Sequence, residues 1–258
     1  MMAVTMPTEP RGGAYSQYLT LPADAVVRAP SGVTPTEAAT LPMNGLTARL
    51  ALDLADVSAG QTLAVGAAGV VGGYVMQMAR AEGLTVIADA APSDEALVRA
   101  LGADMVVLRG PGVAHRMLDV VPGGVDGLVD AAGPGSAAVA AAVADGGAIV
   151  ALSGDGLRPL SPAELRRRSL RRYLAFIPDY LGDRGRLDHL LRQVEAGELT
   201  PRVARVGCRA GRRSPSSEGS RWRAGPDRPG VLSGPSTPTR SGFVGHGRRN
   251  SVRLKRRD

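Results

Sequence analysis

Three glycines spaced three apart, Gly66, Gly69 and Gly72, carry Ala67, Ala68, Val70 and Val71 between them. Missing side chains at this spacing let a backbone approach a pyrophosphate closely. If a helix begins there, its free N–H groups and positive dipole end favour an anion. The strict dinucleotide pattern is G-x-G-x-x-G; the first position here is Ala67, so the loop reads A-x-G-x-x-G. A glycine pattern alone is weak, and a core turn without ligand is the competing reading. Further on, Asp89 could accept a hydrogen bond from a ribose 2′-OH. Its neighbours Ala90, Ala91, Pro92, Ser93, Asp94 and Glu95 supply no close cation, and Asp89 could simply be solvated.

Such residues need elements to hold them. Residues 62–65 are a short apolar run of strand formers directly before the glycines. After them Val71, Val75, Met78, Ala79 and Glu82 recur at helical spacing, and Gly83 suits a helix end. Residues 84–88 read as a second buried strand. Strand, tight turn, helix, strand is the context that gives the glycine pattern its meaning. The alternation continues with a helix capped by Ser93 or Asp94, running to Leu101 and ended by Gly102. Strands follow at 105–108, 127–130 and 148–152, with a short helix at 115–121 and an alanine-rich one at 136–144. Residues 171–177 read as a strand at a sheet edge, 187–195 as a helix before Gly197, and 202–206 as the start of another strand. This order implies an α/β, Rossmann-type doubly wound parallel sheet with right-handed crossovers. Ligands in such sheets lie beyond the carboxyl ends of the strands. Three ends here are small or polar: the loop 66–72, Ala132-Gly133 and Ser153-Gly154.

Ahead of this body, residues 13–21 and 25–28 read as strands, which need a partner to form a stable sheet. Thr34 or Thr36 can cap a helix starting at 35–37. Residues 44–54 form an amphipathic helix, and 57–61 a turn into the glycine strand.

The chain of 258 residues suits one large or two modest domains. Hydrophobic residues make up 44% but aromatics only 3%, so the core must be built from Ala, Val and Leu. A single cysteine, Cys208, excludes an internal disulfide and a multi-cysteine zinc site. No apolar run is long enough for a membrane span or a signal peptide, so a cytoplasmic protein is expected. His115, His189 and His246 are not spaced with carboxylates or cysteine as metal ligands, so no metal is expected. Arg166–168 with Arg171 and Arg172 read as a solvated face. A Gly-x-Ser-x-Gly elbow and a P-loop lysine are both absent.

Several segments together resemble the zinc-independent quinone oxidoreductase branch of the medium-chain dehydrogenase/reductase superfamily. They are GAYSQYLTLPAD, EAATLPMNGLTA, GAAGVVGGYVMQMARAEGLTVIA, LGAD, GVDGLVDAAG, GGAIVALSG and LLRQVEAGELTPRVARV, spread over residues 12–206. The resemblance implies an NAD(P)H-dependent reductase of quinones or enones, working without zinc and pairing as a homodimer. It implies a remnant of a GroES-like substrate domain at 1–42, a nucleotide domain at 43–200, and the start of a return strand at 201–206. Carried over onto this chain, Asn44-Gly45-Leu46-Thr47 would be the loop facing the nicotinamide, with Gly45 and Thr47 as contacts. Asn44 is open between a helix cap and a cofactor contact. Backbone near Ala132-Gly133 and Ser153-Gly154 would orient the nicotinamide. Asp89 and Ser93 fall at the adenosine ribose, leaving NADP(H) or NAD(H) open. The family has roughly a hundred residues ahead of GAYSQY, so much of the substrate pocket has no counterpart here. No catalytic side chain is assigned. A cofactor-binding remnant without turnover is the alternative.

The charge is uneven. Residues 202–258 hold 15 Lys+Arg and 3 Asp+Glu, a balance of +12; residues 1–201 hold 16 and 21, a balance of −5. The segment 207–258 is rich in Gly, Pro, Ser and Arg and reads as a disordered basic tail. With only Trp222 and Phe243 as aromatics, it is a poor candidate for nucleic-acid binding. Its text suggests a frameshift near residue 207. Back-translated with chosen synonymous codons and read one base later, residues 211–218 give AAEAHRR and 224–232 give RGRIVLVF. These are the closing helix and strand of the family. Resequencing the gene decides the point: a plus-one frame without those two segments rejects it.

Overall fold

The computed structural model describes residues 1–6, 19–66, 69–131, 136–152, 160–175, 180 and 182–203. Six strands form one sheet: β1 (Thr62–Gly66), β2 (Thr85–Ala90), β3 (Met105–Leu108), β4 (Val125–Asp130), β5 (Val143–Ala151) and β6 (Arg171–Leu174). All pairs are parallel, in the order β3-β2-β1-β4-β5-β6. This is the doubly wound α/β sheet expected from the alternation, with its order reversing beside β1. Helices α1 (Pro35–Ala55), α2 (Val70–Ala81), α3 (Glu95–Ala100), α4 (Val113–Val120), α5 (Ser136–Val139), α6 (Pro162–Arg167) and α7 (Arg184–Glu195) complete the described body.

The strands alternate across two cores, as a period of two requires. Leu63, Val65, Val86, Ala88, Val129 and Val150 pack with α1, α2 and α7 on one face. Ala64, Ile87, Val107, Leu128 and Ile149 pack with α4, Leu160 and Leu170 on the other. Tyr74, fully buried in α2, sets its hydroxyl 3.1 Å from Thr40 Oγ1 and braces α2 on α1. Burial raises the Tyr74 pKa.

Four expectations need correction. The helix starting at Pro35 and the helix over 44–54 are one continuous α1, running through Pro42. A capping box holds its start: Glu37 N donates to Thr34 Oγ1 at 3.2 Å, and Thr34 N to Glu37 Oε2 at 2.7 Å. Residues 25–28 do not form a strand; a 3-10 turn covers Ala23–Ala25, and Val27 makes one antiparallel bridge to Met2. The adjoining Arg28 is clamped to Glu195 at 2.5 and 2.7 Å, which fixes this segment to the end of α7. The alanine-rich helix ends at Val139, followed by a 3-10 turn at Ala140–Ala142. Val143 instead pairs with Val125, so tertiary pairing overrides the propensity of the alanines. Helix α7 begins at Arg184, earlier than expected, because Asp183 caps it by accepting from Arg186 N at 3.0 Å.

Of the strand expected at 13–21, residues 13–18 lie outside the described residues and 19–21 carry no regular structure. Ala67, Ala68, Ala132, Gly133, Ser153, Gly154, and everything beyond 203 also lie outside them. At the expected return strand, Arg202 and Val203 carry no strand pairing. No helix among the described residues is long and apolar enough to cross a membrane.

A candidate dinucleotide site

β1 ends at Gly66, and the chain enters α2 through Gly69, the residue just before its first turn. No side chain caps this helix. Gly73 N is the first to close a helical bond, to Gly69 O at 2.9 Å. The N–H groups of Val70, Val71 and Gly72 therefore lack intrahelical acceptors, at the positive end of the helix dipole. Gly69 is exposed, and a Cβ built on it would meet none of the described residues within 4 Å. Open space over a helix start is what a phosphate needs. Gly72 is buried, and Val70 and Val71 are half-buried.

A cation reaches the same helix from the far end of the described chain. Thr200 N donates to Gln77 Oε1 at 2.8 Å, laying this segment along α2. Arg202 Nη1 then sits 3.5 Å from Gly69 O, and 3.1 Å from where a Cβ on Gly73 would lie. The bare Gly73 thus makes room for the guanidinium.

Gly66 has two acidic partners in register, Asp89 of β2 and Asp130 of β4. Each is 3% exposed. Asp89 is therefore neither solvated nor without a cation, correcting both sequence readings. Arg109 follows β3 directly, and its N–H donates to Ala90 O at 3.0 Å as the chain leaves the sheet. That turn folds its guanidinium over the end of β2. Nη2 donates to Asp89 O at 2.9 Å, and Nε and Nη2 lie 3.3 Å from Asp89 Oδ1. Ser93 stands exposed on the next 3-10 turn, 3.4 Å from Asp94 Oδ1.

Residues 44–47 are helical rather than a loop. Asn44 caps nothing; its Nδ2 donates to Thr40 O at 2.8 Å inside α1. Thr47 Oγ1 likewise donates to Met43 O at 2.8 Å. Gly45 is buried where a Cβ would lie 2.9 Å from Leu190, so α7 accounts for the glycine by packing. The structure thus gathers Gly69, Val70, Val71, Gly72 and Asp89 at the carboxyl ends of β1 and β2. Gly45 and Thr47 make their described contacts within α1 and with α7. Sequence reasoning missed Arg109, Asp130 and Arg202. Only Arg109 left a signal, as a cation directly after a strand end. Among the described residues, no group of three or more His, Cys, Asp or Glu is placed to hold a metal ion.

Residues 70–193 match the family described as zinc-binding dehydrogenase. Prostaglandin reductase-3 of Bos taurus is 29% identical over 215 residues, covering 77% of this chain and 56% of the bovine one. A solved NAD-dependent alcohol dehydrogenase is 31% identical with a TM-score of 0.65, covering 73% of this chain and 56% of that one. A mycobacterial protein solved in complex with NADPH is 26% identical with a TM-score of 0.66, covering 73% and 62%. The chain thus spans little more than half the length of these relatives. The glycine turn, the parallel sheet reversing beside β1 and these likenesses agree in supporting the medium-chain dehydrogenase/reductase superfamily for this chain.

Proposed function

We propose that this protein is an NAD(P)H-dependent oxidoreductase acting on a small electron-poor acceptor such as a quinone or enone, without a metal. The observation that carries the reading is the uncapped start of α2, with open space at Gly69, at the carboxyl edge of a doubly wound sheet. The N–H groups of Val70 and Val71 would receive the pyrophosphate, and the positive end of the helix would favour its charge. Gly69 keeps the approach clear. The adenosine would lie toward the end of β2, near Asp89, Ser93 and Arg109. The nicotinamide would lie toward the ends of β4 and β5, where Ala132, Gly133, Ser153 and Gly154 follow in sequence, with Gly45 and Thr47 as further candidate contacts. The bound cofactor supplies the hydride; the chain's own part is to bind and orient it and to exclude water. The described residues offer no donor set that fits zinc, so nothing is assigned to one. The NADPH-complexed relative and the bovine reductase support the cofactor and the direction of reduction. Assembly as a homodimer belongs to the same reading.

The test follows NADPH and NADH oxidation with 1,4-benzoquinone and a simple enone, before and after treatment with a chelator, alongside direct cofactor titration. Chelator-resistant turnover supports the proposal. Saturable cofactor binding without turnover would show the binding remnant instead. Absence of binding would reject both.

A further inference from the structure

Resting on the dinucleotide reading above, we infer that Arg109, held in place by Asp89, is the specificity-determining residue for the adenosine ribose. It selects a 2′-phosphorylated cofactor, NADP(H) over NAD(H). A contact of the NAD type needs a carboxylate free to accept from a 2′-OH. Asp89 is not placed for that. Its side chain is only 4% exposed, and Oδ1 already faces Nε and Nη2 of Arg109 at 3.3 Å. An unopposed Asp89 would repel a 2′-phosphate, but the adjacent guanidinium offsets that charge.

Arg109 is built to stay there. Its backbone N–H is bound to Ala90 O at 3.0 Å, and Nη2 is bound to Asp89 O at 2.9 Å. Nε and Nη2, two of the three guanidinium nitrogens, thus anchor the fork to the end of β2. Nη1 makes no hydrogen bond among the described residues, and the side chain remains 35% exposed. The arrangement presents an ordered cation edge at the mouth of the ribose position, and planar guanidinium matches phosphate oxygens well. Ser93 stands exposed on the turn following β2, where its hydroxyl can add a donor. Asp89 acts here as a positioning residue and Arg109 as the phosphate ligand.

Isothermal titration of the full chain with NADPH, NADH, 2′,5′-ADP and 5′-AMP tests this, for the unaltered protein, Arg109→Gln, Arg109→Lys and Asp89→Asn. The unaltered protein should favour NADPH over NADH, and 2′,5′-ADP over 5′-AMP, by about tenfold or more. Arg109→Gln should weaken NADPH and 2′,5′-ADP by about 10- to 100-fold, the range of a charged hydrogen bond. NADH and 5′-AMP should hold within about twofold, which also reports that the variant is folded. Arg109→Lys should recover part of the preference. A preference for NADH in the unaltered protein would overturn the inference, as would an equal loss of both cofactors in Arg109→Gln. So would selective loss of NADH in Asp89→Asn, which would make Asp89 the ribose ligand. In those cases the dinucleotide reading survives. If none of the four probes binds the unaltered protein, that reading fails and takes the inference with it.

Discussion

Replacing Gly69 by leucine separates folding from cofactor binding unusually well. Gly69 has φ −68° and ψ 177°, extended backbone open to any residue. A Cβ there meets none of the described residues within 4 Å. Leucine is a poorer residue than glycine just before a helix, which costs a fraction of a kcal/mol. Losing a glycine from the unfolded chain returns about 0.4–1 kcal/mol. The two nearly cancel, so stability should change by less than about 1 kcal/mol, or roughly 2–4 °C in Tm. Binding should respond quite differently. A leucine side chain would fill the space from which a pyrophosphate reaches the N–H groups of Val70 and Val71. Two charge-assisted hydrogen bonds at about 1.5–3 kcal/mol each correspond to a loss of at least about 100-fold in affinity. Thermal melts give the first quantity, and titration by the change in NADPH fluorescence gives the second. A folded Gly69→Leu protein with unaltered NADPH affinity would refute the placement of the pyrophosphate.

Three further outcomes are expected. Gly147→Ala should destabilise by about 1–3 kcal/mol in urea unfolding, because its Cβ would lie 2.8 Å from Asp126 O and 2.9 Å from Ala144 O, backbone atoms that cannot move aside. Thr34→Ala should cost about 1 kcal/mol by removing the capping box of α1, read from the same unfolding curves. Arg28 and the N–H of Ser31 hold Glu195 down at about 2, against an ordinary 4.5. Its contribution is therefore present above 4.5 and lost as pH falls toward 2, and Glu195→Gln should flatten stability against pH across that window.

The sequence was most legible where local signals agreed. Strand formers at 62–65, glycines at Gly66, Gly69 and Gly72, and helical spacing from Val71 to Met78 all pointed to one βαβ unit. The structure places β1, α2 and β2 there. Reading failed where tertiary contacts overrode local ones. The break expected between the helix starting at Pro35 and the one over 44–54 is absent, since α1 runs through Pro42, and Gly45 is where Leu190 of α7 packs. The alanines after Ser136 favour helix, but Val143 is taken by the sheet beside Val125. The ribose end was illegible for a different reason. Asp89 and Arg109 lie far apart in sequence, and only the parallel pairing of β2 with β3 brings them together. Arg202 reaches Gly69 only through the packing of its segment along α2.

A crystal structure of the chain with NADPH tests the central claim most directly. The account predicts pyrophosphate oxygens within hydrogen-bond distance of the Val70 and Val71 N–H groups, with the adenosine over the carboxyl end of β2. A saturated crystal with the dinucleotide bound elsewhere, or with no dinucleotide bound, would contradict it.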